Sequence, residues 1–216
     1  MKEKPKFLGV IPAKGISKRL PNKNMRQING KPLLYWTIKY AKESKLLDDI
    51  VLSTEDKEIK EYAKQFYIEV LDRPKELSED KVSMIDVLKH VAEKYPYDYL
   101  VLLQPTNPIR TDGLIDRCIQ HVINLKADTL ATGFKSTQYE WTNREHDPLG
   151  PLSEKKGWFY NDGTVEIHSR NNILEGFPFG KKILKMNVEE KYHIDIDTRL
   201  DLVKADAIMR YLGMEP

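Results

Sequence analysis

Residues 7–24 read FLGVIPAKGISKRLPNKN: an apolar run from Phe7 to Ile11, a break at Pro12, then Lys14, Lys18, Arg19 and Lys23 with no acidic residue among them. An apolar run of this length that ends at a turn former reads as a strand buried on both faces. The cations that follow it call for an anion. They are a local feature, because 35 Lys and Arg against 33 Asp and Glu leave the chain a formal charge of only +2. From Phe7 to Ala41, however, there are seven Lys or Arg and no Asp or Glu. A solvated surface of mixed sign does not normally produce such an asymmetry. Bulk nucleic-acid binding is therefore disfavoured, and a focused anion site is expected.

Working outward from this stretch, strand signals recur at 7–11, 50–52, 68–71, 99–103 and 129–133, with two more at 163–168 and 182–188. Helical periodicity fills the gaps at 31–46, opened by Pro32, at 56–66, at 83–95 behind Ser83, and at 112–125 behind Thr111. A last helix is expected at about 199–212, capped by Thr198 and closed by Gly213. Strand and helix in alternation predict an α/β fold with a mostly parallel sheet covered on both faces. Ligands of such sheets bind at the carboxyl edge of the strands, where the basic stretch begins. Residues from about 136 to 162 break the pattern and read as an irregular excursion rich in aromatics and turn formers.

A chain of 216 residues, 40% hydrophobic, is long enough to bury one sizeable core. No stretch is long and apolar enough to span a bilayer. The N-terminal apolar run is too short for a secretory signal, so a cytoplasmic location is expected. Cys118 stands alone among Leu114, Ile115, Ile119 and Val122, which excludes an internal disulfide and reads as a buried core thiol. His90 and His121 lie in helical patterns and His146 in a loop, with no HExxH or Cys/His cluster. Trp141, Trp158, Phe159, Tyr160, Phe177 and Phe179 suggest a small core or a subunit contact rather than a base-stacking platform.

A strand running into a turn with Gly15 and Ser17, followed by cations, offers N–H groups and point charges to a polyphosphate. The alternative for the same residues is a basic surface loop. Neither GxxxxGK[ST] nor GxGxxG occurs, which disfavours a P-loop NTPase and a typical dinucleotide-binding dehydrogenase. Near the C-terminus, HIDID places Asp195 and Asp197 two apart, on one face of an extended segment. Paired carboxylates of this kind suit Mg²⁺, which takes oxygen ligands and commonly shares them with substrate phosphates. They equally suit the acidic entry to a helix.

The stretch IPAKGISKRLPNKN, continued by INGKPLLYWTIKYAKES, resembles the N-terminal signature of the acylneuraminate cytidylyltransferase family, whose members make CMP-activated sialic acids and related acidic sugars. RPKELSEDKVSMIDVL from Arg73, LLQPTNPIRT from Leu102 and IDIDTRLDL from Ile194 match in the same order. The resemblance covers the first half, to about Thr111, and the segment from about 192; the middle is weakly matched. It implies a Rossmann-like three-layer nucleotidyltransferase fold, a single domain over 1–216, with a small inserted region at about 136–190 that supports a homodimer.

It further implies that Lys14, Ser17, Lys18 and Lys23 surround the phosphates of CTP, although the family usually has Arg where this chain has Lys14. Asn24 then lies beside the nucleotide, Ser83 near the cytosine, Arg73 anchors the nucleotide loop, and Gln104 contacts the acceptor sugar. Asp195 and Asp197 would hold Mg²⁺, and Asp197, or water on the metal, would help remove the acceptor proton. Lys23 and Asp197 are thus the expected catalytic pair. In sialate-activating members a segment close to NGAIYI contacts the sugar through its Asn and Tyr. Here Asp162-Gly163-Thr164-Val165-Glu166-Ile167 puts Asp162 and Glu166 at those places, so the acceptor is expected to be a small anion other than N-acetylneuraminic acid. A legionaminic- or pseudaminic-type nonulosonic acid ranks first, before a keto-deoxy sugar acid or a phosphonate. A non-catalytic nucleotide-binding regulator would keep the basic loop but would have no need of the carboxylate pair. A transferase using UTP or GTP would differ in its base pocket.

Overall fold

The structure is a computed structural model that describes residues 4–136 and 157–216. Its centre is β1 (Phe7–Pro12), buried at every position. The strand pairs in parallel with β4 (Asp49–Thr54) on one side and β6 (Tyr99–Leu102) on the other. Two two-residue strands, β2 (Gln27–Ile28) and β3 (Lys31–Pro32), form a separate small ribbon. The remaining strands are β5 (Glu69–Asp72), β7 (Thr129–Ser136), β8 (Trp158–Ser169) and β9 (Ile183–Asn187). Together they give a seven-stranded sheet of order β5-β4-β1-β6-β8-β7-β9. Among the described residues only β8 runs against the rest.

The alternation in β1 decides the layers. Phe7 and Ile11 point into a cluster with α1 (Leu33–Glu43), α2 (Lys57–Lys64) and α4 (Leu114–Leu125). Leu8 and Val10 point the other way, against α3 (Met84–Lys94) and α5 (Arg170–Leu174). Helices on both faces of a mostly parallel sheet make the α/β sandwich expected from the sequence. Each large apolar side chain so buried contributes roughly 1.5–3 kcal/mol. A third cluster, around Trp36, Ile28, Ile194, Ile196 and Met209, docks α6 (Arg199–Tyr211) beside α1. The Trp36 indole N–H meets its hydrogen-bonding need at the Ile28 carbonyl, 3.1 Å away.

Ser83 and Thr198 cap α3 and α6 as their sequence positions suggest, each in a capping box, with Asp86 and Asp201 respectively. Pro32 immediately precedes α1. Thr111 is not the cap of α4: Gly113 holds that position at φ 66°, and the Thr111 carbonyl accepts from Leu114 N–H at 3.0 Å. A left-handed residue at 113 lets the chain turn once more before the helix starts. The second correction concerns β8, which begins at Trp158, so residues 158–162 are strand and not irregular. A register shift lies between Ala131 and Gly133 on its partner β7. Gly133 is required there, since a Cβ would lie 2.0 Å from the Tyr160 carbonyl oxygen.

Cys118 is fully buried, and burial pushes its thiol up to about 12, as befits a core residue. The aromatics split: Tyr160 stacks on Phe134, whereas Trp158, Phe177 and Phe179 are half or more exposed. Trp141 lies outside the described residues. Among those residues, no helix is long and apolar enough to cross a membrane.

Candidate functional site

β1 leads by way of α1 to β4 on one side of the sheet, and β6 leads by way of α4 to β7 on the other. The carboxyl edge between β1 and β6 is therefore the crevice where a parallel sheet binds its ligand. Loop 13–22 leaves β1 there, 55–56 leaves β4, 73–83 leaves β5 and 103–113 leaves β6. The segment 193–198 joins them, with Ile196 N–H donating to the Thr106 carbonyl at 2.9 Å. β8 runs antiparallel and pairs Glu166 with Leu102, so its Asp162–Glu166 end reaches the same edge.

Two carboxylates divide the four cations of the basic loop. Lys14 and Lys18 reach Asp80 at 3.0 and 2.7 Å. Arg19 and Lys23 reach Asp197 at 2.7 and 3.0 Å. The hydrogen bond to Asp80, then its charge, raises the Lys18 pKa, while the bonds from Lys18 and Lys14 lower that of Asp80. Ion pairs as exposed as those of Lys18 and Arg19 contribute little to stability. Their significance is that each carboxylate lies where oxygens of a polyphosphate would find the same cations. Lys23 is the least exposed of the four, with 15% of its side chain accessible against 81% for Lys18. Asn24 is buried and donates to the Lys14 carbonyl at 2.9 Å, fixing the loop across its base. Ser17 is half-buried in the same loop.

Arg73 is buried beneath the loop that follows β5, donating to the Ser53 hydroxyl at 3.1 Å and the Ser53 carbonyl at 2.6 Å. Burial lowers its pKa and the nearby Glu55 charge opposes the shift. Arg73 thus anchors its loop to β4. Ser83 is exposed, and its hydroxyl donates to Asp86 at 2.7 Å as part of the helix cap.

Where β8 lies beside β6, Gln104 is half-buried next to Gly163, whose φ is +69°; a Cβ there would lie 3.3 Å from Gln104 Nε2. Asp162, which the resemblance sets at a sugar contact, has its hydrogen bonds within the protein. It is 4% exposed and accepts from the Thr132 hydroxyl at 2.6 Å, the Thr164 hydroxyl at 2.8 Å and Thr164 N–H at 3.0 Å. A buried carboxylate must be supplied with donors, and these satisfy it. Glu166 is more accessible and lies 3.3 Å from His168 Nε2.

Asp195 and Asp197 alternate with buried Ile194 and Ile196, and Asp195 is exposed, so the pair projects away from the third apolar cluster. Two hard oxygen donors on one side of an extended segment fit Mg²⁺. Among the described residues there is no group of three or more His, Cys, Asp or Glu that could hold a metal ion. The remaining ligands would then be water and phosphate oxygens, the usual arrangement for this ion.

Several residues that organise the site escaped the sequence reading. Arg110 is 2% exposed and donates to the Thr164 carbonyl at 3.1 Å, the Thr37 hydroxyl at 3.1 Å and the Gln104 carbonyl at 2.9 Å. Asn107, with its amide nitrogen turned to the carbonyls it faces, donates to Ile194 at 3.1 Å and Asp162 at 3.0 Å. It therefore joins the loop after β6 to both the carboxylate segment and β8. Glu55, Ser78 and Asp80 were likewise missed. The only signal for Glu55 was a polar run, Ser53 to Asp56, directly after an apolar strand.

Lys23→Ala and Lys18→Ala are expected to cut kcat/KM for the nucleotide about 10–100-fold, since each removes a charged hydrogen-bond donor from the loop. Melting temperatures should hardly change. Lys60→Ala on α2, which removes only a pair with the exposed Asp72 at the end of β5, is the control and should stay within about twofold. Steady-state kinetics of the three variants beside the wild type make the comparison.

A profile described as Cytidylyltransferase matches residues 8–212. The N-acylneuraminate cytidylyltransferase of Escherichia coli is 27% identical over 95% of this chain and 52% of its own length. The chain thus spans about half the length of that relative. The CMP-N,N'-diacetyllegionaminic acid synthase of Legionella pneumophila is 30% identical over 94% of this chain and 96% of its own. Among solved structures, a CMP:2-keto-3-deoxy-manno-octonic acid synthetase complexed with CTP superposes with a TM-score of 0.75 at 18% identity, covering 96% of this chain and 99% of that one. That likeness shows the shared fold. By its family profile over nearly the whole length, this chain belongs to the cytidylyltransferase family.

Proposed function

We propose that this chain transfers the CMP group of CTP to a hydroxyl of a small acidic sugar and releases pyrophosphate. One observation carries the proposal: the four cations Lys14, Lys18, Arg19 and Lys23, which follow β1, are gathered at the carboxyl end of the parallel sheet, two on Asp80 of the loop after β5 and two on Asp197, whose segment meets the loop after β6. In the reaction the acceptor oxygen forms a bond to the α-phosphorus while the bond to the bridging β-phosphate oxygen breaks. The hydroxyl proton is lost to Asp197 or to water, and pyrophosphate takes the displaced electron pair. No covalent intermediate on the protein is needed.

Lys14, Ser17, Lys18 and Lys23 hold the phosphates, and the lysines offset charge that builds on the leaving group. Asn24 and Arg73 keep the two nucleotide loops in place, and Ser83 lies toward the base. Asp195 and Asp197 would hold Mg²⁺, whose charge would offset that of the phosphates. Gln104 and Glu166 face the acceptor, and Asp162 shapes that side from within. The identity with the legionaminic acid synthase over nearly both full lengths supports a nonulosonic acid as acceptor. A keto-deoxy sugar acid is next, supported by the fold of the octonic acid synthetase.

A homodimer through the inserted region at about 136–190 and a cytoplasmic location complete the proposal. The exposed rings of Trp158, Phe177 and Phe179 support the former. The test measures pyrophosphate release with CTP, UTP, GTP and ATP, each against N-acetylneuraminic, legionaminic, pseudaminic and keto-deoxy sugar acids and a phosphonate. Release with CTP and a nonulosonic acid is expected. N-acetylneuraminic acid as best acceptor by kcat/KM would contradict the acceptor assignment, and preference for another nucleotide would contradict the activity.

A further inference from the structure

Loop 13–22 and loop 73–83 carry the proposed nucleotide contacts, yet they leave different strands, with β4 between β1 and β5. One side chain hydrogen-bonds to both. Glu55, just past the end of β4, accepts from Gly15 N–H at 2.8 Å through one carboxylate oxygen and from the Ser78 hydroxyl at 2.6 Å through the other. The surrounding backbone makes the same join: Ala13 N–H donates to the Ser53 carbonyl at 3.0 Å and Arg73 N–H to the Thr54 carbonyl at 3.0 Å. Gly15 sits so tightly on this corner that a Cβ would lie 2.3 Å from Asp56 Oδ2. Asp56 is itself committed to capping α2 through Ile59 N–H at 2.9 Å. Ile16, Lys18, Glu55, Ser78 and Asp80 border an open cleft of about 810 Å³, ample for a nucleotide-sized ligand.

A carboxylate is an unexpected neighbour for a triphosphate. It occupies a loop N–H that could serve a phosphate oxygen, and its charge repels the ligand. Burial pushes the Glu55 pKa up, but hydrogen bonds from Ser78, Gly15 and its own backbone and the Arg73 charge outweigh that, so it is held below the usual carboxylate range. The charge therefore persists at neutral pH, and geometry is what it can contribute. We infer that Glu55 is a positioning residue for CTP: it clamps the phosphate loop to the base-side loop and sets the width of the cleft between them. The inference rests on the proposed CTP-dependent activity and adds a residue to it.

The clamp makes a distinctive prediction, because the two hydrogen bonds and the charge can be removed separately. Glu55→Ala loses all three. Glu55→Gln keeps an oxygen for Gly15 N–H and turns an amide toward the Ser78 oxygen, so it loses only the charge. CTP binding is measured by calorimetry on wild type, E55A, E55Q and S78A, with kinetics in which CTP and acceptor are varied separately and melting temperature as a control. E55A should raise the CTP Kd and KM about tenfold, and S78A should raise them by a smaller factor. The acceptor KM and kcat should move less than about twofold, and E55Q should bind CTP as tightly as wild type or tighter. CTP binding by E55A equal to wild type overturns the clamp. So does E55Q failing as badly as E55A, which would make the charge the working feature, or CTP and acceptor constants worsening together with stability. Wild type that binds no CTP overturns the underlying activity instead, and the calorimetry of the unaltered chain tells the two failures apart.

Discussion

Asp197→Asn is expected to lower CTP turnover by about 10²–10³-fold, a loss of several kcal/mol of transition-state stabilisation. The substitution preserves size but removes the anion that Lys23 and Arg19 share at 3.0 and 2.7 Å. It also takes one of the two carboxylates proposed to hold Mg²⁺. Stability should change little, since the Arg19 pair is exposed and the asparagine can still accept a hydrogen bond from the part-buried Lys23. Asp195→Asn should show a smaller loss in the same direction. The measurement is kcat with CTP and a working acceptor across a Mg²⁺ titration, with and without chelator. Asp197→Asn turning over at the wild-type rate would leave the carboxylate pair as nothing more than the acidic entry to α6.

Arg110→Ala should be the most damaging single change to the fold. The guanidinium is fully buried, and burial lowers its pKa to about 10, opposed chiefly by the Asp162 charge, so it remains cationic at neutral pH. Its removal strands the carbonyls of Thr164 and Gln104 and the Thr37 hydroxyl, and leaves the buried Asp162 carboxylate without this cation. Stranding buried hydrogen-bond acceptors costs about 1–3 kcal/mol each, several kcal/mol for the three together. For a chain of this size the melting temperature should fall by roughly 10 °C. Gln104 sits on the loop that Arg110 holds, so the surviving folded fraction should also bind the acceptor more weakly than CTP. Thermal unfolding followed by circular dichroism is the check; a drop of less than about 3 °C would show that the network is dispensable.

The parts of this structure that were legible in the sequence are those set by neighbours along the chain. β1 alternates sides as its apolar run requires, and Ser83 and Thr198 cap helices because each has an acid three residues on. Four cations that follow a buried strand lie at that strand's carboxyl end, as their place in the sequence requires. What they pair with was not legible: Lys14 meets Asp80 across 66 positions and Lys23 meets Asp197 across 174. The start of β8 was missed because Trp158 to Asp162 mixes aromatic and polar residues and takes its conformation from β7. The register shift opposite Ala131 and Gly133 also hid that Asp162, set by the resemblance at a sugar contact, is buried against Thr132 and Thr164. Glu55 was invisible for a related reason. Its partners lie on loops 40 positions before it and 23 after it, and nothing local marks a carboxylate as a clamp.

The central claim is nucleotidyl transfer at the α-phosphorus, and the most direct test follows the label. CTP labelled at the α-phosphate or at the γ-phosphate is incubated separately with the chain, Mg²⁺ and a nonulosonic acid, and the products are resolved. The α-label should pass to a CMP-linked acceptor and the γ-label to pyrophosphate. Recovery of the γ-label on the acceptor, or of the α-label only as free nucleotide, would contradict the account.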